Sequence, residues 1–331
     1  MLGSPSNHTL LNTATFILLG VPGLEAAHLW LAIIMTDMYS VALLGNIIIM
    51  TVIRTDSTMH EPMYHFLCVL PTVDIVIPTS VIPKMLNIFW SGNGIISFAA
   101  CFIQMFFVHA TTAMETGLLL AMAFDRYVAI CKPLHYQTIL TPWTMIGMVI
   151  SIIARGIAAM TPMTWMLVHL PCCASHVVPH SYCEHMAVAK LACADHRPSG
   201  LYTLILSFII VGIDVIFIAT SYSLILKAVF SLPSRDAWVK ALNTCGSHVS
   251  VMGLFYLPGM LSIYMAGLEQ DQVPLHIQVL LADFYVVFSP MMNPLIYGLK
   301  TKYIRERVWN AVTTSFSRCF CQNSPKEKSP T

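Results

Sequence analysis

Met122-Ala-Phe-Asp-Arg-Tyr-Val-Ala-Ile-Cys-Lys-Pro-Leu-His-Tyr136 decides the fold of this chain. The stretch begins as the end of a long apolar helix. It turns charged at Asp125-Arg126, turns basic at Lys132 and breaks at Pro133. A charged pair at the foot of a membrane-length helix is costly in lipid and marks a functional candidate by default. The bland alternative is a helix that surfaces there, with Arg126 reaching into the headgroups.

Working outward, the composition sets the class. The 331 residues are 56% hydrophobic and 10% charged, with a mean hydropathy of +0.72. A soluble domain carries roughly 25% charged residues, so the chain reads as a polytopic membrane protein. The net charge of +1 is compatible with that class, and the chain has no acidic or basic tract of the kind that marks a nucleic-acid partner, so none is expected. No Lys or Arg precedes Arg54, so a basic signal-peptide start is missing and the first apolar helix is expected to act as its own insertion signal.

A spanning helix needs about 20 mostly apolar residues. Seven stretches qualify, at 29–53, 62–90, 101–131, 142–169, 200–229, 238–266 and 274–299. The expected fold class is therefore an all-α membrane protein, a bundle of seven transmembrane helices. Residues 1–28 form an outer tail, 29–299 the membrane domain, and 300–331 an inner segment. With the N-terminus outside, 13 of the 17 Lys and Arg fall on the inner side, as the positive-inside rule requires. Asn7-His8-Thr9 is then a glycosylation sequon on the correct side, with Asn7 as acceptor. Ile304, Val308, Ala311 and Val312 repeat at helical spacing within Thr301–Phe320, which predicts a short amphipathic helix on the inner leaflet.

Cys101 opens the third helix on the outer side. Cys172, Cys173, Cys183 and Cys193 lie in the longest outer loop. Extracellular placement favours disulfides, and Cys101, Cys173, Cys183 and Cys193 allow three pairings. The even spacing of 173, 183 and 193 favours Cys173–Cys193, although Cys172 can replace Cys173. A metal site built from the loop cysteines with His176, His180, His185 and His196 is a weaker alternative, because disulfides already account for the cysteines.

Seven helices with Asp-Arg-Tyr at the inner end of the third resemble the rhodopsin-like G-protein-coupled receptors. Pro62-Met-Tyr-His-Phe-Leu-Cys-Val-Leu-Pro-Thr-Val-Asp74 is similar to the second-helix signature of olfactory receptors. The third-helix stretch above, Ser221-Tyr222, Lys240-Ala-Leu-Asn-Thr-Cys-Gly-Ser-His248 and Pro290-Met-Met-Asn-Pro-Leu-Ile-Tyr-Gly298 complete the set in order. Gly20-Val-Pro-Gly-Leu-Glu25 and the long cysteine-rich loop resemble the class I, or fish-like, branch. Phe124, His65 and Pro71 depart from the usual signatures without removing a charge.

The resemblance implies an odorant receptor of the plasma membrane that activates a stimulatory, olfactory-type G protein and raises cyclic AMP. It implies Cys101–Cys183 as the bridge from loop to third helix. Asp125 and Arg126 are the implied switch, with Tyr222, Lys240 and Tyr297 supporting it. Helical geometry places Glu115 within about 20° of Arg126, three turns above it, so Glu115 faces the interior. Asp74 and Asn293 belong at similar depth. Buried carboxylates need a partner, a proton or a cation. The resemblance implies a sodium ion between Asp74 and Glu115; the residues alone allow a protonated, hydrogen-bonded cluster instead. No other cofactor and no catalytic metal is expected.

The ligand is expected in the outer half, on His109, Met105, Phe106 and Thr112 of the third helix. Thr203 and Ser207 of the fifth helix and Tyr256, Gly259 and Ile263 of the sixth complete the lining. Class I relatives that bind carboxylic acids often carry an Arg where this chain has Gly267. A mostly apolar pocket with hydroxyls and one His suits a small neutral volatile. Competing readings are a receptor of the same fold for a metabolite outside the nose, a transporter or channel, and an enzyme. The last two lack, respectively, an internal repeat and any nucleophile–base arrangement or His-Glu-x-x-His motif.

Overall fold

The computed structural model describes residues 15–56, 62–171, 176–231, 235–266, 273–300, 305–307 and 309, the side chains of several residues of 235–266, Lys240 among them, and of Leu299 and Lys300 excepted. Asn7, Cys172, Cys173 and Gly267 lie outside these residues. Seven helices carry the architecture: α1 His28–Thr55, α2 Pro62–Ser91, α3 Phe98–Cys131, α4 Pro142–Val168, α5 Arg197–Phe230, α6 Arg235–Ala266 and α7 Leu275–Lys300. All seven are long and apolar enough to cross a membrane. Their bounds follow the expected spans within a few residues.

The helix starts are written locally. Ser97 caps α3 by accepting from Ala100 N at 3.2 Å, and Thr141 caps α4 by accepting from Thr144 N at 3.2 Å. Pro142 follows at the first position of α4, where a missing N–H costs nothing. Trp30, Trp90 and Trp165 are exposed towards the outer ends of their helices, and Trp143 towards an inner end. This is the aromatic belt expected where a bundle meets the headgroups.

α3 is the most enclosed helix, with α2 and α7 next, while α5 shows most of its surface to lipid. Small residues set the closest approaches. A Cβ on Gly156 of α4 would lie 2.8 Å from the Ala110 carbonyl of α3. Pro294 of α7 packs on Gly45 of α1, where a Cβ would sit 2.8 Å from its Cγ. Pro294 has no N–H for the carbonyl four residues back. That carbonyl belongs to Pro290, and Asn46 Nδ2 of α1 donates to it at 2.9 Å. A helix-breaking residue in one span is thus repaired by an amide from another.

One feature lies outside the expected all-helical plan. Three short strands close the outer face: β1 Thr15–Leu18, β2 Ile95–Ser97 and β3 Val177–Val178. β1 lies between the others, antiparallel to β2 and parallel to β3. Phe16 and Leu18 point inward and Ile17 outward. The expected tail is therefore paired to the bundle from Thr15 onward. Lys84 of α2 ties the turn before β2 by donating to Asn93 O and Ile95 O, at 2.9 and 2.6 Å. At the inner end, residues 305–307 and 309 of the expected amphipathic helix are helical, and Arg307 Nε is 2.8 Å from Asp56.

Candidate functional site: three polar clusters along the bundle

The polar residues of the interior gather at three depths. At the inner end, Asp125 is fully buried and holds Arg126 through one oxygen, with Nε at 2.8 Å and Nη2 at 2.5 Å. Its other oxygen accepts from the Tyr136 hydroxyl at 2.8 Å. Tyr136 opens a short helix, Tyr136–Ile139, so the inner loop itself helps to fix the switch. The hydroxyls of Tyr222 and Tyr297 are buried without a partner among the described residues. The His248 ring sits edge-on to Tyr297, centroids 5.8 Å apart. A buried hydroxyl left unpaired costs about 1–3 kcal/mol, so this arrangement gains if the inner mouth rearranges. Leu134, two residues beyond Lys132, is 92% exposed on the same face.

At mid-depth, Asn293 joins the two expected acids. Its Nδ2 donates to Asp74 Oδ1 and Oδ2 at 3.1 and 3.0 Å and reaches Glu115 Oε1 at 3.4 Å. Ser289 Oγ donates to the same Glu115 oxygen at 3.1 Å. All four residues are buried, and Asn293 Oδ1 has no partner among the described residues. Two carboxyl groups against one amide nitrogen leave negative charge to be met by a proton or a cation. Carboxylate, hydroxyl and amide oxygens are also the ligand set of a hard cation.

In the outer half, the outer loop enters the bundle. Cys101–Cys183 pins it to α3, and Gln104 Oε1 accepts from Cys183 N at 2.9 Å. Cys173 lies outside the described residues, so the second bridge is not described. Ser181 Oγ donates to Asp283 Oδ1, which ties the loop to α7. Beyond Cys183 the loop forms a short helix, His185–Ala189, whose N-terminus Glu184 caps by accepting from Ala187 N at 2.7 Å. This helix delivers His185 to His109. The two rings are perpendicular with centroids 6.5 Å apart. His185 Nε2 meets Ser199 Oγ at 3.0 Å and Thr203 Oγ1 at 3.4 Å. His109 Nε2 and His185 Nδ1 are buried without a partner among the described residues. Burial pushes the His185 imidazole down to about 3, with His109 adding to the effect.

Among the other expected ligand residues, Met105 is fully buried, and Phe106 and Ser207 are half-buried. Thr112 spends its hydroxyl on Val108 O at 2.8 Å. Tyr256 has a buried hydroxyl without a protein partner. Gly259 lies under Tyr285, where a Cβ would stand 3.0 Å from the ring. Ile263 is exposed, so the packing does not join it to this group.

One constellation was missed. Arg155 of α4 forms a two-pronged pair with Asp214 of α5, at 2.8 and 3.0 Å, and donates to Thr116 of α3 at 2.8 Å. Gly117 leaves the space, since a Cβ there would be 2.9 Å from Arg155 Nη2. The signal was present, because an intramembrane cation requires an acid and Asp214 is the acid of the fifth apolar stretch.

Comparison with known proteins follows the same lines. The family model of olfactory receptors matches residues 35–315. The chain is 64% identical to human olfactory receptor 52I2 over 310 residues, covering 94% of this chain and 89% of that one. It is 62% identical to human olfactory receptor 52I1, covering 94% and 96%. Squid rhodopsin superposes with a TM-score of 0.69 over 94% of each chain at 17% identity, a likeness of fold.

Proposed function

Because this chain belongs to the olfactory receptor family, whose members sense odorants from the plasma membrane through G proteins, we propose a specific ligand class and a specific signalling partner for it. It is not an enzyme. The ligand is a small neutral volatile, such as an alcohol, ketone, ester or lactone, held in the outer half of the bundle. The partner is a stimulatory G protein, and the response is a rise in cyclic AMP.

The corner formed by His109, His185, Ser199 and Thr203 carries this reading. Two imidazole nitrogens there lack partners among the described residues, and each can donate to or accept from a ligand oxygen. Met105 and Phe106 supply the apolar wall. Among the described cations of the outer half, Lys84 is engaged on loop carbonyls, Arg155 on Asp214 and Arg197 on Asp195, and Lys190 is exposed. Among the described residues, a carboxylate in this corner would find no unengaged guanidinium to pair with, which favours a neutral ligand.

At the inner mouth, Asp125 restrains Arg126. Release of Arg126 would free a cation for the G protein and let the Tyr222 and Tyr297 hydroxyls find partners. Lys240 supports the same face in this reading, and exposed Leu134 offers an apolar contact. Asp74, Glu115, Ser289 and the Asn293 carbonyl oxygen would hold a sodium ion, which when bound neutralises the two carboxylates.

A dose–response panel in cells expressing the chain, pairing each carboxylic acid with its neutral analogue, tests the ligand class. Neutral members should win, and His109→Ala or His185→Ala should weaken them at normal surface level. Acids that win, or neutral responses untouched by both variants, would overturn it.

A further inference from the structure

Asp37 stands on the face of α1 that no other helix covers. α1 packs on α2 and α7 through Ala32, Met35, Ala42, Asn46 and Ile49. Asp37 is nine residues before Asn46, roughly 180° round the helix. It is exposed, as are Ile33, Ile34, Val41 and Leu44 around it. Trp30 marks the outer interface. Seven residues of helix place Asp37 about 10 Å below it, inside the outer half of a hydrocarbon layer about 30 Å thick.

The carboxylate has no hydrogen-bond or ion-pair partner among the described residues. The nearby hydroxyls are spent on the backbone: Thr36 donates to Ala32 O at 2.7 Å and Ser40 to Thr36 O at 2.8 Å. Its single methylene is too short to carry the charge to the headgroups, as the stems of Lys and Arg do. The other described acids within the spans all turn inward to partners. Asp74 and Glu115 meet Asn293, Asp125 holds Arg126, Asp214 holds Arg155 and Asp283 accepts from Ser181. Asp37 alone among them faces lipid.

We propose that the outer-leaflet face of α1 is a docking surface for a transmembrane helix of another protein, one that presents a Lys or Arg to Asp37. Charge complementarity selects this occupant. A cation on a lone helix is as unfavourable in hydrocarbon as the acid is, and pairing relieves both. Ile33, Ile34, Val41 and Leu44 give the partner helix an apolar seat. A second copy of this chain does not fit. A two-fold contact through α1 would set carboxyl against carboxyl. The described cations of the spans are at helix ends, as Arg54, Lys227 and Arg197 are, or engaged, as Lys84 and Arg155 are.

The test uses the full-length protein in cell membranes and a designed single-span probe of leucines. One probe carries an Arg at the depth of Asp37, one carries it two turns deeper, and one carries none. Resonance energy transfer between tagged protein and probe reports association, with surface level checked for each variant. The matched Arg probe should associate at least about threefold more strongly than the plain probe. Asp37→Asn should abolish that excess. Asp37→Lys should transfer the preference to a probe bearing Asp at the same depth, which guards against a variant that merely folds poorly. Equal signals from the Arg and plain probes, or an excess that survives Asp37→Asn, would overturn the proposal. So would self-association of the wild-type chain that Asp37→Leu removes, because the face would then belong to a second copy.

Discussion

Arg155 of α4 grips Asp214 of α5 with both terminal nitrogens, at 2.8 and 3.0 Å, and the acid is fully buried while the Arg side chain is 30% exposed. The pair locks three helices, because Arg155 also donates to Thr116 of α3. Removing one partner strands a charge, which costs about 3–5 kcal/mol when the pair is buried. Replacing both with apolar side chains costs much less. Arg155→Met and Asp214→Leu should each sharply lower surface level and melting temperature in detergent, and the double variant should recover most of the loss. Additive losses would show that the two residues act separately.

The outer loop should loosen in acid. Burial pushes His180 down to about 3, and His185 to about 3, from an ordinary 6.5. Both rings are therefore neutral in the folded loop, while the unfolded loop takes up protons below about pH 6.5. Their contribution to stability is complete above that pH and is lost as pH falls towards about 3. Hydrogen exchange across 176–193, corrected for intrinsic rates, should quicken from pH 7.5 to pH 5. His180→Phe keeps a ring beside Tyr182 and should reduce the change. An equal change in the variant would assign it to other groups.

The strand cap depends on one glycine. A Cβ on Gly94 would fall 1.9 Å from the Leu18 carbonyl oxygen, and Gly94 O accepts from Leu18 N at 2.9 Å. Gly94→Ala must therefore push β1 away, a strain of about 1–3 kcal/mol by analogy with overpacked cores. Limited proteolysis from outside should cut near Thr15–Leu18 faster than in the wild type. Equal cleavage would show that β1 tolerates the shift.

The sequence disclosed the spans because each is a run of about 20 apolar residues, a signal averaged over a long window. The same averaging hid single charges. Arg155 lies within the fourth stretch, and Asp214, the partner it requires, is averaged away among the isoleucines and valines of the fifth. Helical geometry turned Glu115 inward and set Asn293 at the depth of Asp74, and Asn293 does bond to both acids. Pairs between a loop and a helix have no period to betray them, so Ser181 with Asp283 and His185 with His109 came only from the structure. Strands of two to four residues in a helical chain carry too little alternation to detect, so β1 falls unmarked within the expected tail of residues 1–28.

The mid-depth cluster should respond to sodium. A cation bound only by the folded state stabilises it by mass action. Replacing choline by sodium at constant ionic strength should raise the melting midpoint by a few degrees, about 1 kcal/mol. Asp74→Asn combined with Glu115→Gln should abolish the rise. A flat wild-type response would mean that the two carboxyl groups share protons instead.

The most direct test of the signalling account is nucleotide exchange on a purified stimulatory G protein, driven by the receptor with a neutral volatile selected from the panel. Wild type and Arg126→Ala are compared at matched folded amounts, with ligand binding measured beside exchange. The account predicts that Arg126→Ala binds the volatile as before and loses at least about tenfold in exchange rate, since the cation freed from Asp125 is what the G protein meets. Exchange at the wild-type rate in Arg126→Ala would contradict it.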